Sequence, residues 1–121
     1  MAWKFNSQMP VCHQIVEKLR SDILCGKFVP GEQFPTVRQL AQDAAVNPNT
    51  MQKALSFLEA EGLLISHSTI GRFVTSDTEV LLSAKQSMQN AYLAEATQHA
   101  YDLGITREMI IKYINESEEN V

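Results

Sequence analysis

Residues 35–62 read Pro-Thr-Val-Arg-Gln-Leu-Ala-Gln-Asp-Ala-Ala-Val-Asn-Pro-Asn-Thr-Met-Gln-Lys-Ala-Leu-Ser-Phe-Leu-Glu-Ala-Glu-Gly, and their punctuation predicts two short helices joined by a tight turn. Thr36 is placed to cap the first, and Gln39, three residues on, completes a capping-box pattern. Asn47 followed by Pro48 marks the second start: a capping side chain, then the imino acid tolerated at the first helical position. Gly62 supplies the stop. Val37, Leu40, Ala41 and Ala44 fall on one face of the first helix; Met51, Ala54, Leu55 and Leu58 fall on one face of the second.

The second helix leaves Asn49, Thr50, Gln52 and Lys53 outside at its first turn, all hydrogen-bonding side chains and none acidic. A helix-turn-helix recognition helix needs that arrangement, because its N-terminal residues reach base edges in the major groove. A solvated polar face is the plainer reading of the same residues, and the flanking segments decide between the two.

The 121 residues suit one compact domain, or a small domain with an appendage, and 45% hydrophobic with 20% charged residues is an ordinary globular composition. No apolar run reaches the roughly 20 residues that span a bilayer. The opening Met-Ala-Trp-Lys-Phe-Asn has no apolar leader core, so a cytoplasmic protein with no membrane partner is expected. Cys12 and Cys25 match no metal or disulfide spacing and read as free thiols. Net charge is −4, which argues against a non-specific nucleic-acid coat. Its distribution is uneven. Residues 1–75 hold seven Lys and Arg against six acids, while residues 76–121 hold three against eight. The first two-thirds can therefore still face phosphate.

Upstream, Trp3 and Phe5 alternate with Ala2 and Lys4, which suggests a short extended arm. Pro10 opens a helix to about Cys25, with Val11, Ile15, Val16, Leu19, Ile23 and Leu24 as its apolar stripe and Gly26 as its end. His13 has no partner at ligand spacing and reads as a surface or capping histidine. Pro30-Gly31 fits the centre of a type II turn in a buried connector, with Phe28 and Phe34 folding back on the helix. Downstream, residues 63–66 and 72–75 read as short strands around the loop 67–71, a β-hairpin. A hairpin directly after a helix-turn-helix is a winged helix, whose wing lies along the backbone or minor groove. Ser68, Thr69 and Arg72 are placed to serve phosphates there, and His67 stands at the wing base.

Residues 76–103 form a long helix capped at Ser76 or Asp77, with Leu81, Met88, Tyr92 and Ala96 along it; Leu103-Gly104 closes it. Thr106 caps a last helix bearing Met109, Ile110, Tyr113 and Ile114, and residues 116–121 read as a frayed tail. Two such helices cannot bury both apolar faces on each other, so the surplus must pack on the winged helix or on a second chain; the alanine-rich stripe favours close helix–helix approach and is read as a dimerisation arm.

Residues 10–74 resemble the winged-helix domain of GntR-family bacterial transcription regulators. The pattern is met by Pro10, Gln14-Ile15, Gly26, Pro30-Gly31, Phe34-Pro35-Thr36, Arg38, Leu40-Ala41, Val46, Thr50-Met51 and Gly71-Arg72-Phe73-Val74. The Val-Asn-Pro-Asn-Thr turn and the two-helix tail are similar to the YtrA subfamily. Cys12 stands where an aromatic is common, Thr69 where the wing usually has glycine, and Arg72 where it usually has threonine. The resemblance implies that Thr36 touches phosphate, that Arg38 reaches the DNA, and that Lys53 is a phosphate contact. It makes Asn47, Asn49, Thr50 and Gln52 the readout and positioning set. Pro48 at the helix start and Ser68, Thr69, Gly71 and Arg72 on the wing complete the expected DNA-facing residues; Leu81, Met88, Tyr92, Ala96, Ile110 and Ile114 form the expected dimer face.

The expected fold is therefore mainly α (α+β): a winged helix-turn-helix over 1–75 followed by a two-helix dimerisation region over 76–121. The expected function is that of a homodimeric repressor on double-stranded DNA with a two-fold symmetric operator, controlling a neighbouring, often transporter, operon. Residues 76–121 are far fewer than the effector domain of larger members, so a small-molecule effector is doubtful. The alternative is a winged helix used only for protein contact. No nucleophile–base pair, metal spacing or phosphate loop appears, so no enzyme, cofactor or metal is expected.

Overall fold

Thr36 caps its helix through the predicted box: its Oγ1 accepts from the Gln39 amide at 3.1 Å, and the Gln39 side chain accepts from the Thr36 amide at 2.9 Å. Asn47 Oδ1 accepts from the Asn49 amide at 2.7 Å, with Pro48 at the first helical position. Around these two starts the computed structural model, which describes residues 3–117, lays out seven elements. They are α1 (Val11–Leu24), α2 (Val37–Ala44), α3 (Pro48–Ala60), β1 (Leu64–His67), β2 (Gly71–Val74), α4 (Thr78–Asp102) and α5 (Arg107–Glu116). This is a mainly α winged helix-turn-helix with two further helices. Ala2 of the expected arm and residues 118–121 of the expected tail lie outside the described residues.

The turn between α2 and α3 is closed without glycine. Ala45 adopts φ +57°, its amide donates to the Gln42 carbonyl at 3.2 Å, and the Val46 amide donates to the Ala41 carbonyl at 3.0 Å. Those are the two bonds of a Schellman closure, made here by a residue whose Cβ disfavours the left-handed region by roughly 1 kcal/mol. At the end of α3, Gly62 makes the same closure at φ +81° with no such strain.

β1 and β2 pair antiparallel in the register Leu64↔Val74, Ile65↔Phe73, Ser66↔Arg72, His67↔Gly71. The hairpin is one residue out of step with the expected strands. Ser68 takes φ +46°, so the chain reverses over residues 68–70, and His67 and Gly71 join the ladder instead of the loop. Pro30-Gly31 does form the expected turn, with the Glu32 amide donating to the Val29 carbonyl at 2.9 Å. Beyond this turn the chain is more than a connector. The Gly31 amide donates to the Val74 carbonyl at 2.9 Å, Val74 to Glu32 at 2.8 Å and Phe34 to Arg72 at 2.8 Å. Residues 31–34 thus lie as a third strand-like edge on β2. Phe34 is buried and stacks 4.8 Å from Phe28, but residues 29–33 are exposed, so the segment is less buried than expected.

Two compact units divide the chain, one ending at Lys85 and one beginning at Gln86, with the division inside α4. In the first, Ile15, Leu19, Met51, Leu55, Leu58, Leu63, Leu64 and Val74 are the large side chains removed from water. Each contributes about 1.5–3 kcal/mol by the usual area relation. Val11, expected on the same stripe of α1, is exposed, because it sits in the first turn beyond that core. The N-terminal arm is not a strand but is held to α1: Lys18 Nζ stands 4.8 Å over the Trp3 ring, and Gln14 exchanges hydrogen bonds with Asn6 at 2.9 and 3.0 Å. His13 pairs with Glu17 at 3.1 Å. Asp77 caps α4, its Oδ1 accepting from Glu79 at 3.1 Å and Val80 at 3.3 Å.

In the second unit, Thr106 caps α5 by accepting from the Met109 amide at 3.2 Å. Glu116 is the last residue of α5 and Ser117 its cap, so the helix runs further than the frayed tail expected there. Neither α4 nor α5 buries a residue, and Tyr92 at 73% and Ile114 at 60% exposure lie open.

Candidate nucleic-acid interface

The capped start of α3 is the most distinctive surface of the first unit. Met51, Ala54, Leu55 and Leu58 turn inward and fix the helix rotation, which leaves Asn49, Gln52 and Lys53 exposed and Thr50 half-buried. Neither α2 nor α3 carries an acidic residue in its first turn. Both helix starts therefore keep the positive end of the helix dipole free of side-chain carboxylates, an environment that favours phosphate. Arg38 is exposed in the first turn of α2. Among the described residues, neither Arg38 nor Lys53 takes part in an ion pair.

The capping residues have structural roles already. Thr36 and Asn47 spend their side-chain oxygens on backbone amides, and Pro48 offers only its ring. Asn49, Gln52 and Thr50 keep their side-chain amide and hydroxyl groups outside these caps, and such groups suit base edges. Ser56 Oγ donates to the Gln52 carbonyl at 3.0 Å, which leaves its hydroxyl only as an acceptor toward solvent.

On the wing, Ser68 and Thr69 stand exposed at the tip. Arg72 does not join them. Its Nε is bonded to Glu59 Oε1 on α3, and its side chain is 17% exposed. Leu64, Ser66, Arg72 and Val74 share one face of the hairpin by strand alternation, and Leu64 and Val74 are core. That alternation, visible in the sequence, is the signal that Arg72 points inward. Two positioning residues have no sequence signal. Gln33 donates from Nε2 to the Ile70 carbonyl at 3.0 Å, and Arg20 of α1 grips Glu61 after α3 with Nε–Oε1 at 3.0 Å. The Glu61 hydrogen bond and charge hold the Arg20 guanidinium above its ordinary pKa, against some desolvation.

Among the described residues no group of three or more His, Cys, Asp and Glu is placed to hold a metal ion, and no helix is long and apolar enough to cross a membrane. Cys12 and Cys25 are free thiols.

Residues 12–74, from α1 to the end of β2, match the model of the bacterial regulatory proteins of the gntR family. The chain belongs to the GntR family. It is thus a DNA-binding transcriptional regulator and not an enzyme. The likeness to YtrA extends past the wing: the transcriptional repressor YtrA of Bacillus subtilis is 29% identical over 116 residues, covering 95% of this chain and 89% of that one. A GntR-family regulator from Listeria monocytogenes superposes with a TM-score of 0.86 at 26% identity over 94% of this chain and all of that one. The DNA-binding domain of AraR, solved in complex with operator ORX1, matches with a TM-score of 0.57 at 30% identity, covering 62% of this chain and 95% of that one.

Proposed function

We propose that this GntR protein is a homodimeric, sequence-specific repressor. It acts in the cytoplasm on a two-fold symmetric operator and controls an operon near its own gene, of the transporter type. The observation that carries the reading is the acid-free, capped first turn of α3, with Asn49, Gln52 and Lys53 turned outward. Asn49 and Gln52 pair with base edges; Arg38, Lys53 and the wing tip at Ser68 and Thr69 take phosphates, while Thr36 acts by capping the helix that carries Arg38. Gly71, the first residue of β2, leaves room beside the wing tip for the Gln33 side chain. AraR bound to its operator supports the docking, and the naming of YtrA as a repressor supports the direction of control.

Dimerisation rests on the second unit. We assign Met88, Tyr92, Ala96, Ile110 and Ile114 of that unit, and separately Leu81 of the first, to contact with a second copy. Exposed Tyr92 and Ile114 support this, since apolar surface of that kind is normally covered.

Fluorescence anisotropy on DNA from upstream of the gene, beside a scrambled duplex, tests the reading. Binding should be at least about 10³-fold tighter to the first, fall steeply with salt, and be lost in Asn49→Ala. Equal weak binding to both duplexes would refute sequence reading at that DNA. No binding even at low salt would return the chain to a protein-contact role.

A further inference from the structure

The wing has a single Lys or Arg, Arg72, and it is turned away from solvent. Its cross-strand partner Ser66 lies on the same face of the hairpin. Both converge on one carboxylate: Arg72 Nε bonds Glu59 Oε1, and the Ser66 hydroxyl approaches the same oxygen at 3.5 Å. Glu59 stands one residue from the end of α3, the helix that carries the readout residues at its start. A second tie, with no charge in it, holds the hairpin tip. Gln33 Nε2 donates to the Ile70 carbonyl, and Gly71 makes room for it, since a Cβ there would lie 3.3 Å from that nitrogen at φ +127°.

We propose that Glu59 and Arg72 are positioning residues for DNA recognition, and that Arg72 makes no phosphate contact of its own. The pair locks the wing to the far end of α3, so that the wing tip and the readout turn meet the duplex as one rigid unit. With Nε held by Glu59 and the side chain only 17% exposed, the guanidinium is committed to α3 and presents little of its surface to a phosphate. The inference rests on the proposed reading that α3 and the wing face the same DNA.

The two roles predict opposite signs. Glu59→Gln removes a negative charge, so a phosphate-binding Arg72 would make this variant bind more tightly. The lock predicts weaker binding, by about fivefold, the scale of a partly exposed ion pair. Arg72→Gln should weaken binding by a similar factor while leaving the log–log salt slope unchanged; a lost phosphate contact would flatten that slope by about 0.9. The exchanged pair, Glu59→Arg with Arg72→Glu, should return affinity to within about twofold, since coupled residues are not additive.

The experiment is anisotropy of the full chain on the upstream duplex at several salt concentrations, with Asn49→Ala alongside. Tighter binding by Glu59→Gln, a flattened slope in Arg72→Gln, or an exchanged pair weaker than either single variant overturns the proposal. Should Arg72→Gln not fold, Gln33→Ala loosens the wing without touching a charge: weaker binding at the same slope is expected, and unchanged binding contradicts the rigid wing. Absence of any wild-type binding takes down the parent reading as well; wild-type binding with one of the contrary results overturns this inference alone.

Discussion

α3 and α4 belong to one chain and solve the same physical problem in opposite ways. In 13 residues α3 turns four side chains, Met51, Ala54, Leu55 and Leu58, fully out of water. In 25 residues α4 buries none, and Leu82, Tyr92, Leu93 and Tyr101 remain exposed. The winged helix is thus a closed hydrophobic unit, with α1 and the hairpin completing its core. The second unit is open: α5 is capped by Thr106, but neither α4 nor α5 buries a residue. Capping defines where a helix starts and stops; only packing defines what it is for.

The sharpest way to break this contrast is at its two centres. Leu55→Ala should lower unfolding free energy by about 2–5 kcal/mol in a urea titration, as a cavity in a packed core does. Tyr92→Ala, titrated at a concentration low enough to keep the chain monomeric, should stay within about 0.5 kcal/mol. Similar losses from both would erase the distinction between closed and open units.

A smaller effect tests what covers the open unit. Ile114→Glu should leave the winged helix folded and weaken self-association by on the order of 2 kcal/mol, roughly thirtyfold, in sedimentation velocity. An unchanged dimer would place the contact elsewhere.

The smallest sharpens the picture of the closed unit. Ala45 holds a left-handed turn that glycine adopts freely, so Ala45→Gly should raise stability by about 0.5–1 kcal/mol, read from the urea midpoint. A lower midpoint would mean that the strain at this turn is offset by contacts of its methyl group.

The same contrast explains what is legible in the residues alone. Thr36 with Gln39, Asn47 with Pro48, and Gly62 carry local chemistry, so their helix ends can be placed from residue types. The Met51, Ala54, Leu55, Leu58 face is equally readable, because burial on α3 follows helical period. Ala45 gives no warning, since its turn is imposed by the packing of α2 and α3 and not by a residue that prefers it. The edge formed by residues 31–34 is hidden for another reason: it is made by backbone amides and carbonyls, which leave no pattern of side chains. For Arg72, position misleads. Its place on the wing suggests phosphate, while its alternation with Val74 aims it at α3, where Glu59 is a partner only the fold could supply.

Hydroxyl-radical footprinting of the full chain on DNA from upstream of its own gene tests most directly whether paired winged helices read an operator through α3. Two protected half-sites related by two-fold symmetry are predicted, with centres about 10–10.5 base pairs or a whole multiple apart, and both should vanish in Asn49→Ala. A single unsymmetric patch, or protection that survives Asn49→Ala, would contradict the account.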